Sequence, residues 1–321
     1  MSQETSSLCQ TLKTEYQTLQ ELQKEFQLEL EKSIKSGNLE KTKELKAEIE
    51  EKLKSLKEKL ITKEIKANFK NPETNETKEI KLNIQEIIQE QKQFYQKFNL
   101  PIPNEKEINQ IIKTHKAEIE KEIQTYGYDQ ILIVPENLPN SETLNQTLIE
   151  SIPDTTATYQ SSSFQEGGGF QGVKSSENQK TKIILTHSDQ NIYENESANP
   201  YLKATLNKNI LQISSLTETQ IQEKIENNQP ILINFQSNQN QIQAQGLSSE
   251  EYLILQRQYF EKTSNHLDEK GWTWLTKSCS ASRVVRARWF PGDRRLLVYA
   301  RALGGSDVYL GCRLSRSFEL T

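Results

Sequence analysis

Apolar residues near the start of the chain recur every three or four positions over residues 5–62, with one break at Ser36-Gly37-Asn38. This spacing predicts two helices that each carry a narrow apolar stripe, and a Gly-Asn pair is typical of the turn between antiparallel helices. We therefore expect residues 1–62 to form a helical hairpin or coiled coil. The stripe indicates either self-association through these helices or a solvated helical spacer.

The pattern changes after this segment. Apolar and polar residues alternate at 65–69 and 80–84, on either side of a polar turn. This alternation predicts a small β-hairpin. Helical patterns then cover 84–98 and 104–125. We assign residues 63–104 to a hairpin and helical connector.

Residues 105–240 have the pattern of a small α/β domain. Short apolar runs predict buried strands at 130–134, 182–186, 210–213 and 231–235. Helical patterns lie between them at 140–152 and 217–228, with Ser141 and Thr217 as the expected N-caps. The glutamine-rich residues 236–246 have the composition of a linker.

A further module is predicted over residues 247–321. Ser248 or Ser249 is suited to cap a helix that runs to about residue 265, and β-type alternation follows it. The complete pattern predicts a multidomain α+β protein: N-terminal helices, a small α/β domain and a separate C-terminal domain.

Composition sets the end of the chain apart. Of nine arginines among 321 residues, eight lie at or after Arg283, and no lysine follows Lys277. From residue 271 onward there is no Asn, Gln or Ile, although all three tryptophans are there. Residues 283–321 carry a net charge of +5 in a chain of net charge −4. This tail therefore has a surface chemistry of its own.

The alternation within the tail separates two kinds of residue. In the segment 294–301 the aliphatic residues Leu296, Val298 and Ala300 share one side of a predicted strand. The other side carries residues without a common chemistry, and the preceding segment behaves alike. Exposed Arg, Tyr and Phe are typical of protein-binding surfaces, although an ordinary basic strand surface has the same pattern.

Candidate catalytic chemistry is sparse. The segment GGGFQGVKS (167–175) lacks the Gly-Lys pair of a phosphate-binding P-loop, because Val173 intervenes, and a flexible surface loop is the simpler interpretation. The three cysteines and three histidines are scattered, so we predict no enzyme activity, no metal site and no cofactor. Without a signal peptide or an apolar membrane-spanning run, we expect a cytoplasmic protein and no membrane partner.

Several motifs of the tail resemble one known family. The segment GWTWL (271–275), Ala287 with Trp289, and the ending LGCRLSRSF (310–318) are similar to the C-type-lectin-like variable proteins of diversity-generating retroelements. In that family an error-prone copy of a template, altered at adenines, replaces the 3′ end of the gene. The fold then displays the variable residues on a ligand-binding face. Formylglycine-generating enzymes share a related fold, but no catalytic cysteine pair is reproduced here.

The resemblance implies two sets of residues. The expected scaffold is Trp272, Trp274, Leu275, Trp289, Gly311, Arg313 and Phe318. The expected diversified ligand contacts are Arg286, Arg288, Phe290, Arg295, Leu297, Tyr299, Arg301, Leu303, Asp307 and Tyr309. Replacing adenines in Lys, Asn and Ile codons yields the residues that fill 278–309, whereas a module acquired from a host of higher GC content predicts only the same average shift.

Three functions remain open from the sequence. The first is a non-enzymatic binding protein whose C-terminal face is diversified and takes a variable protein ligand. The second is nucleic-acid binding, with the basic tail on phosphates and its aromatic residues on bases. The third is an enzyme in the α/β region that uses the tail as a targeting device.

Overall fold

A computed structural model describes residues 18, 20–21, 23–24, 26–28, 30–32, 40–61, 64–175, 180–192, 199–227, 229–237, 240–280, 283–305 and 307–320. The chain divides into two compact units, residues 1–64 and 65–321.

The first unit is helical wherever it is described. Every described residue between 18 and 32 is helical, and helix α1 spans Glu40–Ile61. The helix prediction is confirmed for these residues. The expected turn at 36–38 lies outside the described residues, and those that are described do not form a clear coiled coil.

The second unit mixes short helices and strands. Its strands are β1 Glu64–Lys70, β2 Thr77–Asn83, β3 Gln130–Val134, β4 Tyr159–Gln160, β5 Lys174–Ser175, β6 Lys182–Thr186, β7 Leu232–Ser237, β8 Asn240–Gly246, β9 Trp272–Ser280, β10 Arg283–Phe290, β11 Arg295–Arg301, β12 Leu310–Gly311 and β13 Leu314–Glu319. Its α-helices are α2 Ile84–Lys97, α3 Glu105–Tyr126, α4 Ser141–Leu144, α5 Ser162–Gln165, α6 Pro200–Thr205, α7 Ile210–Ser214, α8 Glu218–Glu226 and α9 Ser249–Thr263. A π-helical turn, Asn145–Ile149, continues α4, and a 3₁₀ turn spans Gly169–Gly172.

Three sheets organise these elements. Strands β1 and β2 form a hairpin, as predicted. A five-stranded sheet has the order β3-β6-β13-β8-β7, and a six-stranded sheet has the order β12-β9-β10-β11-β4, with β5 beside β9. The protein is thus an α+β protein with three sheets.

The sheets join regions that the sequence pattern separates. Strand β13, from the tail, lies between β6 and β8, and strand β4 pairs with β11. The predicted boundaries at 104/105 and 240/247 therefore fall inside one compact unit. Main-chain hydrogen bonds between distant segments leave no trace in local hydrophobic periodicity, which explains the difference.

Capping residues place most helices where the pattern predicts them. Thr217 and Ser248 form capping boxes with Gln220 and Glu251 at the starts of α8 and α9. The expected cap at Ser141 is wrong by one residue, because the side chain of Asn140 accepts the hydrogen bond from the N–H of Thr143.

Two predictions between these helices are wrong. Residues 210–213 form helix α7 instead of a strand, because Asn209 and Gln212 make a capping box that starts a helix. The predicted linker at 236–246 contains strand β8, in which Ala244 is buried against the core while its glutamine neighbours alternate with it.

Helix α9 and strands β10 and β11 share one hydrophobic core. Helix α9 is buried from Ser249 to Gln258. Its apolar residues belong to the same core cluster as the inward residues of β10 and β11. Within the described part of the chain, no helix has the length and apolar character needed to cross a membrane.

Candidate ligand-binding face

The inner face of the β10–β11 pair has the predicted aliphatic character. The antiparallel register places Trp289 opposite Leu296 and Ala287 opposite Val298. Trp289, Leu296 and Val298 are each at most 3% exposed. Since side chains alternate along a strand, burial of these positions directs their neighbours to the other face.

That outer face carries most of the predicted ligand contacts. The register pairs are Arg286 with Tyr299, Arg288 with Leu297, and Phe290 with Arg295. Two neighbouring strands extend the face. Trp274 of β9 lies opposite Arg286, and Tyr159 of β4 is in register with Leu297.

Arginine and aromatic side chains stack across the outer face. We call this set the arginine–aromatic row; each member contacts the next in the order Phe290, Arg288, Trp272, Arg286, Tyr299, Tyr159 and Arg295. The guanidinium carbon of Arg286 lies 4.3 Å from the ring centroid of Trp272 and 5.4 Å from that of Tyr299. The rings of Trp272 and Tyr299 meet edge to face at 4.8 Å. Contacts of this kind hold the side chains in defined positions.

The far end of the row lies on the edge strand. The rings of Tyr159 and Tyr299 are 5.9 Å apart, and the guanidinium of Arg295 lies 5.2 Å from the Tyr159 ring centroid. Tyr159 is 40% exposed and Phe290 is 37% exposed. Phe290 and Tyr159 are therefore open to a ligand.

The polar partners of the row lie mostly within the tail. Arg286 donates to Asp307, with 3.1 Å between Nη1 and Oδ2, and Arg295 pairs with Asp293. Arg288 donates to the main-chain oxygen of Glu269 at 2.8 Å. Burial lowers the pKa of the Arg286 guanidinium, and the hydrogen bond to Asp307 opposes that change.

The ten predicted contacts are not equally accessible. Tyr309 is 49% exposed, while Leu297, Tyr299 and Arg301 are half-buried. Two of the ten differ from the prediction of an accessible contact, because Arg286 is only 3% exposed and Leu303 is buried in a core cluster with Leu310. The position of Leu303 after the end of β11 lets the chain turn inward, so strand alternation does not extend to it.

The residues predicted as scaffold are all buried. Arg313, with no exposed side-chain surface, pairs with Asp268 at 2.9 Å and donates to the main-chain oxygen of His187. Trp289 stacks on His266 with 3.4 Å between ring centroids. Gly311 allows a close approach, because a Cβ there would lie 2.9 Å from Leu206.

A segment before the tail supports β11 through main-chain contacts. The N–H of Thr156 donates to the oxygen of Arg294, and that of Ser161 donates to the oxygen of Val298. The hydroxyl of Ser163 donates to the oxygen of Ala300. These bonds do not depend on which side chains β11 displays.

Tyr159 is the residue of this face that the sequence does not reveal. A two-residue strand has no measurable periodicity, and the polar residues around it have the character of a loop.

The glycine-rich segment that follows is tightly packed instead of forming a flexible loop. Phe170 is buried against Phe164, and a Cβ on Gly172 would lie 1.7 Å from the Gly167 oxygen.

A groove of about 850 Å³ lies away from this face, beside α2 and α9. At its floor Gln91 uses its amide to bond Ile131 and Ile133 of β3. At its rim Lys262 pairs with Glu90. These pairings join α2 to β3 and to α9. Among the described residues no group of three His, Cys, Asp or Glu side chains could hold a metal ion.

Comparisons of the chain with protein-family models, curated proteins and solved structures found no match.

Proposed function

We propose that this is a non-enzymatic binding protein whose C-terminal, C-type-lectin-like region displays a face diversified by retroelement mutagenesis. The observation that carries the proposal is the contrast between the two sides of strands β10 and β11. Inward residues such as Leu296 and Val298 form a conventional core, whereas the outward residues mix charged, aromatic and aliphatic side chains, most of which are at least partly exposed.

The contacts of the outer face support this function. Arg286 and Arg295 pair with aspartates of the tail itself, and Arg288 bonds a main-chain oxygen. Substitution of the partly exposed Arg288 or Arg295 would leave the core and the supporting segment 156–163 in place, whereas Arg286 is buried against Trp272. A surface that must accept many side chains requires this independence from its support.

The supporting strands provide rigidity. The β11 backbone is hydrogen-bonded on both sides, to β10 and to the segment that includes β4. Aromatic and arginine side chains on a rigid sheet lose little conformational entropy when a ligand binds, so affinity can come from a small number of contacts.

DNA sequencing around the gene tests the proposal. We expect a near-copy of the segment that encodes residues 278–318, which differs mainly where the copy has adenine, next to a reverse-transcriptase gene. The differing codons should include those of Arg286, Arg288 and Tyr299 and should spare those of Leu296 and Val298. Absence of both the copy and the reverse transcriptase would reject diversification and leave a fixed surface.

A further inference from the structure

The arginine–aromatic row has a chemistry that narrows the ligand class. A guanidinium that stacks on an aromatic ring uses its flat side for the ring. Its N–H groups lie in the plane of the guanidinium and remain available to an acceptor. The guanidinium of Arg295 lies over the ring of Tyr159, and its side chain is partly exposed, whereas Arg286, over the ring of Trp272, is buried and already pairs with Asp307. Carboxylates match the spacing of the guanidinium N–H groups and form the strongest hydrogen bonds with them.

The charge of the face is only partly balanced by the protein. In the described part of the chain, ion pairs join Arg286 to Asp307 and Arg295 to Asp293. Arg288 and Arg301, within the same described residues, make no ion pair with a carboxylate. The face therefore has two cationic groups in excess, which an acidic partner would neutralise.

The same arrangement disfavours a nucleic-acid backbone. A single strand is bound along a continuous basic groove that follows its phosphates. Here Asp307 and Asp293 lie among the arginines and would repel neighbouring phosphates. Separate carboxylates flanked by apolar groups fit this face better than a regular polyanion does.

One end of the row is supplied from outside the tail. Tyr159 belongs to β4 and is held in register by the main chain of β11. Its ring contacts both Tyr299 and the guanidinium of Arg295, and 40% of its surface is exposed. A residue placed in this way stays constant while its neighbours in the tail change.

We infer that the arginine–aromatic row binds an acidic segment of a partner protein, and that Tyr159 is a fixed aromatic contact of this site. The inference rests on the proposed function, because it assigns a ligand class to the same face. It also gives the region before the tail a direct part in binding.

Random peptides displayed on phage and selected on the full-length protein provide the test. We expect the enriched peptides to contain Asp or Glu beside an apolar or aromatic residue. Synthetic versions should bind at about 0.15 M salt, an ionic strength at which distant exposed charges are screened. Enrichment of neutral or basic peptides, no enrichment, or tighter binding of a single-stranded oligonucleotide would overturn the inference.

Variants then test the role of Tyr159. Tyr159→Ala should weaken peptide binding about tenfold, as loss of an aromatic hot-spot contact does. Tyr159→Phe should retain binding, because the ring is kept. Ile102→Ala, at an exposed residue between α2 and α3, is the control and should have no effect.

Comparison with Tyr299→Ala separates the two proposals. If Tyr299→Ala abolishes binding and Tyr159→Ala does not, the proposed face stands and the inference about Tyr159 is wrong. If neither variant changes binding, the face itself is rejected. Both measurements are independent of whether a template copy is found beside the gene.

Discussion

Two arginines of the tail have opposite relations to the fold. Arg295 lies on the outer face, partly exposed, and pairs with Asp293 of the tail. Arg313 is buried and pairs with Asp268, a residue before the tail. Substitution of Arg295 removes an exposed ion pair within the tail, whereas substitution of Arg313 removes a buried contact that joins the tail to the rest of the protein.

The buried lysine cluster resembles Arg313 in this respect. Lys277 and Lys182 both contact the carboxylate of Glu251, at 3.0 Å and 2.8 Å, and Lys277 also donates to Ser317. Glu251 caps helix α9, so the cluster ties the helix to β6, β9 and β13. These buried ion pairs therefore join the tail to the rest of the fold.

We expect the largest difference in unfolding free energy between residues on the two faces of strand β10. Trp289→Ala should lower the free energy of unfolding by about 4 kcal/mol, because it removes a buried ring and leaves a cavity. Phe290→Ala, at the next residue on the opposite face, should cost less than about 1 kcal/mol. Urea denaturation of both variants gives the comparison. Equal losses would mean that the two faces do not differ in their role in folding.

Breaking the buried ion pair should be nearly as costly. Arg313→Leu leaves the carboxylate of Asp268 buried without its partner, and we expect a loss of about 3–4 kcal/mol in unfolding free energy. The double variant with Asp268→Asn should recover part of that loss. Arg295→Ala, which removes an exposed pair, should cost no more than about 1 kcal/mol. A similar loss for Arg295→Ala and Arg313→Leu would mean that the exposed and the buried ion pair contribute equally to folding.

Lowering the pH should reduce the stability that comes from the buried cluster of Glu251 with Lys182 and Lys277, and should have little effect through the exposed ion pairs. Burial alone raises the pKa of Glu251, but the ammonium groups of Lys182 and Lys277 outweigh it and lower that pKa to about 2. A depressed carboxylate pKa stabilises the fold above the unfolded value, near 4.5, and this stabilisation is lost as the pH falls towards 2. We expect a loss on the order of 3 kcal/mol across that window, measured by urea unfolding. Glu251→Gln should flatten the profile there, whereas Asp293→Asn should not alter it.

The smallest effect on stability should accompany the largest effect on binding. Replacing Tyr299 and Arg301 together by Ala should change the free energy of unfolding by less than about 1 kcal/mol, since both are half-buried on the outer face. Binding of the acidic peptides should be abolished. Thermal denaturation and fluorescence polarisation measure the two quantities, and a large drop in melting temperature would place these side chains in the core.

Local pattern was sufficient for individual elements. Helices α2, α3, α8 and α9 and strands β3, β6 and β11 lie where periodicity and capping residues predict them. The alternation of Leu296, Val298 and Ala300 also predicts which side of β11 faces the core. Short elements were less predictable. In the five-residue helix α7, for example, the capping box at Asn209 determined the conformation, and the apolar pattern did not.

Tertiary structure decided how the elements combine. The sequence by itself determined the composition of the tail, the two-sided pattern of its strands and the residues that could make contacts. It did not show that β13 lies between β6 and β8, or that Tyr159 completes the outer face. The pairings of β4 with β11 and of β6 with β13 join segments more than a hundred residues apart, and the pairing of β8 with β13 joins Gly246 to Leu314. Such pairing depends on backbone hydrogen bonds that nearly all residues can make, so the pattern of side chains does not predict it.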